Sequence, residues 1–122
     1  MFKGIVELES LTKIDVIKKM KTVKSYEERH PEAKIKLWHV YKVEIAKDEI
    51  GAIVKRISDV IKTDWFSIFW NDNSVLVVFL NKIYQLSRKQ VEMGDYEEVK
   101  NFAARRGIQE IHFNLQKEID SW

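Results

Sequence analysis

The residues best suited to hold a small molecule are four aromatic side chains and one imidazole: Trp38, His39, Tyr41, Trp65 and Trp70. Aromatic rings offer broad apolar surfaces, and tryptophan and tyrosine add a polar group. An imidazole changes charge near neutral pH, so it can serve as a base or as a hydrogen-bond partner. These residue types predict an aromatic pocket for a sensor or an enzyme. Packing of the same rings in a core or an interface is the competing interpretation.

The three histidines give little support for metal or catalytic chemistry. His30 precedes Pro31 in a charged segment, which predicts a surface turn. His39 and His112 fall on opposite faces of their predicted strands, which argues against a shared metal site. The chain has no cysteine and no H-E-x-x-H spacing, so thiolate ligands and the common zinc motif are both excluded. The sequence therefore predicts no catalytic residue, no metal and no cofactor.

Composition places the chain among ordinary globular proteins. Its 122 residues predict one domain, and 45% hydrophobic with 33% charged residues argues against disorder. The longest apolar runs have the length of a strand, which predicts that nothing spans a membrane. The N-terminal residues lack the apolar core of a signal peptide, and the absence of cysteine fits a reducing compartment. The expected location is the cytoplasm.

Charge and motif both argue against nucleic-acid binding. The net charge is only +2, and the four lysines near the N-terminus fit a solvated helix face: Lys18, Lys19, Lys21 and Lys24. The run SVLVVFL at 74–80 lacks the glycine and the basic residue that RNA-recognition motifs carry on a central strand. RNA binding through the aromatic rings is thus the weakest alternative.

The run at 65–86 is the most apolar of the chain and contains two turn signals. Asn71-Asp72-Asn73 predicts a hairpin loop, and Asn81-Lys82 predicts a tighter turn. Three strands follow from these turns, over 64–70, 74–80 and 83–86. Both alternating faces of the middle strand are apolar, which is typical of a central strand that is covered on both sides.

The segment from Ile35 to Ile45 alternates and predicts a further strand, with His39 and Tyr41 on one face and Trp38 on the other. Apolar residues recur at helical spacing between 47 and 62, which predicts a helix there.

Later signals predict a polar connection over 87–94 and then a second helix. Asp95 and Glu98 have the spacing of a capping box at its start, and Gly107 has the position of a C-terminal cap. Alternation over 111–115 predicts a final strand, and 116–122 is expected to be a tail.

The N-terminal region completes the prediction. Residues 2–8 form a short strand or an arm, and a helix is expected from Ser10 or Thr12 to about Glu28. Its apolar residues recur at helical spacing, while its other face is rich in lysine.

Together these elements predict an α+β protein with the order βαββ(β)αβ over 35–115. This is the ferredoxin-like arrangement, an antiparallel sheet with both helices on one face, here with an additional N-terminal helix in 1–34. The opposite face needs cover, either from the N-terminal helix or from a second subunit. The leading functional hypothesis is a non-enzymatic interaction module that associates as a homodimer.

Three segments resemble a group of small uncharacterised prokaryotic proteins: 38–45, 65–86 and 105–115. The shared motifs are an aromatic W-Y-x-x-F-W-N-type hairpin, a strand pair with an internal lysine, and a closing Gly-Ile. They correspond here to Trp65, Phe66, Phe69, Trp70 and Asn71, to Asn81, Lys82 and Tyr84, and to Gly107 and Ile108. The resemblance implies a shared ferredoxin-like core. It implies no activity and no functional residues.

Overall fold

A six-stranded antiparallel sheet forms the centre of the molecule in the computed structural model, which describes residues 1–122. The strands are β1 (Phe2–Glu7), β2 (Lys21–Arg29), β3 (Leu37–Ile45), β4 (Ser67–Trp70), β5 (Ser74–Phe79) and β6 (Lys82–Ser87). The helices are α1 (Ile50–Val60), α2 (Arg88–Glu92), α3 (Glu97–Arg105) and α4 (Leu115–Asp120). The α+β class predicted from the sequence is confirmed. None of the helices has the length and apolar sequence that a bilayer span requires.

The strand order is β2-β3-β1-β4-β5-β6. Both β3 and β4 pair antiparallel with β1, so they run parallel to each other and are joined by α1. This split βαβ unit agrees with the ferredoxin-like prediction in its connection. The inserted strand, however, is the N-terminal β1, and β4, β5 and β6 continue as a meander.

The predicted N-terminal helix is wrong. Residues 8–10 and 15–19 form short 3₁₀ turns, and the C-terminal part of the predicted helix, from residue 21 on, is strand β2, which pairs along the edge of β3. The apolar residues that suggested a helical stripe do not share a face, because Val16 is fully buried whereas Ile14 and Val23 are exposed. Pairing with β3 satisfies the backbone of this segment, and tertiary contacts have overridden the helical spacing.

Cover on both faces of the central strand is confirmed, but its source differs from the prediction. Val75, Val77 and Phe79 of β5 pack in a cluster with residues from α2, α3 and α4. Val78 faces the other way and packs in a second cluster with α1 and the segment before β2. Both faces are therefore covered by helices and turns of the same chain.

The predicted final strand over 111–115 and the predicted tail are also wrong. Residues 110–112 form a 3₁₀ turn, and α4 follows directly. The Asn114 side chain accepts a hydrogen bond from the backbone N–H of Lys117 at 3.1 Å and so caps α4. Leu115 and Ile119, four residues apart, are both buried against the sheet. An Asn cap with i, i+4 apolar residues outweighed the alternation that suggested a strand.

Of the helix caps predicted in the C-terminal part of the chain, one is confirmed and one is wrong. The Ser87 hydroxyl and the Gln90 side chain form a capping box that begins α2, a segment that was expected to be only a polar connection. No capping box forms between Asp95 and Glu98, because α3 begins after Tyr96. The C-terminal cap at Gly107 is confirmed, with φ of 83° and the following N–H, of Ile108, donating to the carbonyl of Ala103 at 3.1 Å.

Candidate functional site

The main cavity of the molecule lies between one face of the sheet and the chain that follows α3. Its volume is about 580 Å³. Strands β1, β2 and β3 form its floor, and residues 107–121 form its roof. A cavity of this size, with a mixture of apolar and polar walls, matches the sites that hold small molecules in other proteins.

Cross-strand pairing explains why particular side chains point into this cavity. Tyr26 of β2 lies opposite Val40 of β3, and Val40 lies opposite Glu7 of β1. Glu28 lies opposite Trp38 in the same way. Residues opposite each other in antiparallel strands point to the same face, so these five side chains share the cavity floor.

An aromatic wall closes one end of the cavity. The rings of Trp38 and Trp65 lie 4.8 Å apart between centroids, at an interplanar angle of 57°. His30 stacks on Trp38 at 3.6 Å, and His112 lies 5.0 Å from the same indole. The indole N–H of Trp38 donates to the carbonyl of Ile35 at 2.6 Å, which fixes the ring against its own loop.

Three carboxyl groups, those of Glu7, Glu28 and Glu118, line the rest of the cavity. Burial raises the pKa of Glu7 well above its ordinary value, and the nearby Glu118 and Glu28 raise it further. Burial likewise raises the pKa of Glu118 to about 7, with Glu28 as the next contribution. Since Glu28 and Glu118 raise the pKa of Glu7, and Glu28 raises that of Glu118, the three carboxyl groups lie close together. Because the pKa values of Glu7 and Glu118 are raised, part of the cluster carries protons at neutral pH.

No lysine or arginine forms a salt bridge with these three carboxyl groups. Lys42 is buried beside them, but its ammonium donates to the backbone carbonyl of Ser121 and lies 5.5 Å above the ring of Tyr26. Burial lowers the pKa of Lys42. Burial raises the pKa of Tyr26 to about 12, which keeps its hydroxyl protonated. Only Glu28 has an ion-pair partner, the imidazole of His30 at 2.9 Å, so Glu7 and Glu118 are left without a directly paired cation. Lys34, Lys62 and Lys117 also line the cavity but form no salt bridge with these carboxyl groups.

Two histidines meet at the rim of the cavity, although no pattern in the sequence places them together. One oxygen of Glu32, Oε1, lies 3.3 Å from Nδ1 of His30 and 3.2 Å from Nε2 of His112. The other ring nitrogen of His30, Nε2, lies 2.9 Å from the carboxylate of Glu28. His30 was expected to be a surface residue; only a fifth of its side chain is exposed.

Of the five residues predicted to form a pocket, Trp38 and Trp65 line this cavity. His39 and Tyr41 point to the opposite face of β3, because neighbouring residues of a strand alternate. The Nδ1 atom of His39 lies 2.6 Å from the carboxylate of Glu9, and this hydrogen bond raises the pKa of the imidazole. Trp70 is buried beneath α4 and lines a separate cavity of about 270 Å³. The five residues therefore do not form one pocket.

Sequence reasoning missed the carboxyl groups. Glu28 was placed at the end of a helix and Glu118 in a tail, so neither had a predicted position on the sheet face. Glu7 lies in a weakly patterned strand. The alternation of 35–45 did separate Trp38 from His39, and it was the one available signal against grouping them.

No protein-family model, no curated protein and no solved structure matches this chain. The resemblance to small prokaryotic proteins stays a prediction.

Proposed function

We propose that this protein binds a small organic cation in the cavity between the sheet and residues 107–121. The observation that carries the proposal is the composition of the cavity itself. An aromatic wall of Trp38 and Trp65 lies at one end, and beyond it lie three carboxyl groups, of which Glu7 and Glu118 have no ion-pair partner. A ligand with a flat apolar body and a protonated nitrogen complements both.

The aromatic end contributes dispersion and electrostatic attraction. Indole faces carry a negative quadrupole and attract cations within about 6 Å, at roughly 0.5–2 kcal/mol for each contact. Trp38 is held by its hydrogen bond to Ile35 and by the stack with His30, so its face is already oriented. A rigid wall lowers the entropy cost of binding.

The carboxyl end selects the charge of the ligand. Glu7 receives no side-chain hydrogen bond from the protein, and burial penalises its charged form. A ligand ammonium supplies the missing counter-charge, so binding favours the ionised carboxylates and releases protons. An anionic ligand of the same shape meets repulsion from the same groups.

The direct test is a pair of probes that differ mainly in charge. Tryptamine carries an indole and an ammonium, whereas indole-3-acetate carries the same ring and a carboxylate. We expect tryptamine to bind by calorimetry and indole-3-acetate not to bind. The affinity for tryptamine should rise between pH 6 and pH 8, because the pKa of Glu118 is about 7.

Variants assign the binding to this cavity. Glu118→Gln should weaken tryptamine binding roughly 10- to 100-fold, since a charge-assisted contact contributes about 1.5–3 kcal/mol. His39→Gln, on the opposite face of the sheet, is the matched control and should leave binding unchanged. Equal binding of the two indoles, or no binding of either, would contradict the proposal.

Self-association, the leading hypothesis from the sequence, stays a prediction and has one supporting feature. Strand β2 is an edge of the sheet, and Val23 on it is 49% exposed. Edge strands can pair with a second chain, although lysines such as Lys21 and Lys24 oppose such pairing. A dimer by light scattering that Val23→Lys converts to a monomer would support this second candidate.

A further inference from the structure

The cluster of His30, Glu32 and His112 is the strongest feature that the proposed ligand leaves unexplained. We propose that these three side chains bind a divalent transition-metal ion at the rim of the cavity, and that Zn²⁺ is the ion their chemistry favours. His30 and Glu32 belong to the loop after β2, whereas His112 belongs to the 3₁₀ turn before α4. A bound metal would thus connect the floor of the cavity to its roof.

The distances fit a single ion. All three ligand atoms lie within 4.8 Å of one another. The Glu32 oxygen is 3.3 Å from the His30 nitrogen and 3.2 Å from the His112 nitrogen. Tetrahedral zinc with bonds of about 2.0–2.1 Å to nitrogen and oxygen holds neighbouring ligand atoms roughly 3.3 Å apart. Two of the three separations have that length already.

The donor atoms also fit. Nε2 of His112 is buried and makes no hydrogen bond, because its contact with Glu32 lacks hydrogen-bond geometry. Buried polar atoms without a partner are rare in native proteins, and a metal ligand is one explanation for such an atom. Imidazole and carboxylate together are typical zinc ligands.

Glu28 supplies the support that metal-binding histidines usually have. Its carboxylate lies 2.9 Å from Nε2 of His30, which leaves Nδ1 facing Glu32. A carboxylate on the distal nitrogen fixes the ring and its tautomer, and removal of such a partner typically weakens metal binding about 10–100-fold. Stacking on Trp38 at 3.6 Å holds the same ring from its face.

Three protein ligands leave one position of a tetrahedral ion open. Both histidines line the cavity, whereas Glu32 is exposed, so the ion would lie at the rim of the cavity. Structural zinc sites use four protein ligands, whereas sites that bind water or a substrate use three. The site therefore belongs to the open class, and a ligand in the cavity could reach the metal.

Calorimetric titration of the chelator-treated protein with zinc sulfate tests the site, without any organic ligand present. We expect one Zn²⁺ per chain, with cobalt giving the visible absorption of a four-coordinate ion. Glu32→Gln and His112→Gln should each weaken zinc binding tenfold or more. Glu32 is exposed, so its variant should keep the fold, which circular dichroism can verify.

His39→Gln is the matched control, because His39 is another histidine paired with a glutamate but lies outside the cluster. Its affinity for zinc should equal that of the wild type. The proposal is overturned if the wild type binds no zinc, if Glu32→Gln and His112→Gln bind it normally, or if His39→Gln abolishes binding. Tryptamine binding in the presence of a chelator depends on the carboxyl groups, so the two proposals can fail separately.

Discussion

At the scale of single residues, Glu118 has the clearest chemical consequence. Its side chain comes from α4 and faces Glu7 on β1, Glu28 and Tyr26 on β2, and Lys42 on β3. Burial outweighs the attraction of the nearby cations, so the folded protein holds the Glu118 proton more tightly than the unfolded chain does. Stability and protonation are therefore linked at this residue.

The linkage gives a pH dependence of definite sign. The pKa of Glu118 is about 7 in the folded state, against an ordinary value of 4.5. Its contribution to stability is complete below pH 4.5 and is lost as the pH rises through 7. Between pH 5 and pH 8 the free energy of unfolding should fall by about 2 kcal/mol from this group. Urea unfolding at the two pH values measures the change.

The variant Glu118→Gln removes the titrating group and should flatten this dependence. Glu7 titrates in the same direction, so a smaller slope should remain. Glu92→Gln, at an exposed position of α2 without a salt bridge, is the control and should keep the wild-type slope. If Glu118→Gln kept the full slope, Glu118 would not be the group responsible.

At the scale of elements, the sheet depends on the close approach of β1 and β4. Gly4 of β1 lies opposite Phe69 of β4 and opposite Val43 of β3. A Cβ atom at position 4 would overlap the Phe69 ring, and that ring is fully buried. Glycine is required here because an aromatic ring lies across the backbone.

Gly4→Ala should therefore lower the stability by about 1–3 kcal/mol, the usual cost of overpacking a core. Gly51→Ala is the matched control, since Gly51 lies in α1 and a Cβ there meets nothing within 4 Å. That substitution should instead stabilise the protein by about 0.4–1 kcal/mol. Thermal unfolding of both variants distinguishes these opposite shifts, and a neutral Gly4→Ala would contradict the argument.

The elements also show which patterns were sufficient for prediction. The helix over 47–62, the hairpin at Asn71 and the cap at Gly107 were predicted correctly, because each depends on local signals. The side-chain oxygen of Asn71 accepts hydrogen bonds from the backbone N–H groups of both Asn73 and Ser74. Such local hydrogen bonds form without any contact from distant parts of the chain.

Elements that depend on distant partners were predicted less well. Strand β2 has most of its residues exposed, so no buried face imposed an alternating pattern. Only the free edge of β3 makes it a strand. The carboxyl residues of the candidate site were not predicted for the same reason. Glu7, Glu28 and Glu118 are brought together by sheet pairing and by the position of α4, and no spacing in the sequence encodes that meeting.

At the scale of the whole molecule, α4 joins the C-terminal residues to the centre of the sheet. The indole N–H of Trp122 donates to the carbonyl of Gly4 at 3.1 Å, and its ring meets the edge of Trp70. The ammonium of Lys3 lies 4.5 Å above the Trp122 ring. These contacts hold the helix that carries Glu118.

Trp122→Ala should loosen α4 while the rest of the fold persists. Amide hydrogen exchange in 115–122 should become at least tenfold faster, whereas exchange in α1 should not change, because α1 packs on the other face of the sheet. Trp122→Phe keeps a ring but loses the hydrogen bond, and should have an intermediate effect. Uniform acceleration across both helices would instead indicate global destabilisation.

The central position of β1 has a consequence for synthesis. This strand precedes the other five along the chain, yet its neighbours end only at residues 45 and 70. At about 5–20 residues per second, a ribosome exposes Ile5 and Val6 for several seconds before β3 can cover them. Because the cavity also needs Glu118, its two walls come from opposite ends of these 122 residues. The candidate site is therefore among the last parts of the protein to assemble, and a nascent chain without α4 lacks part of it.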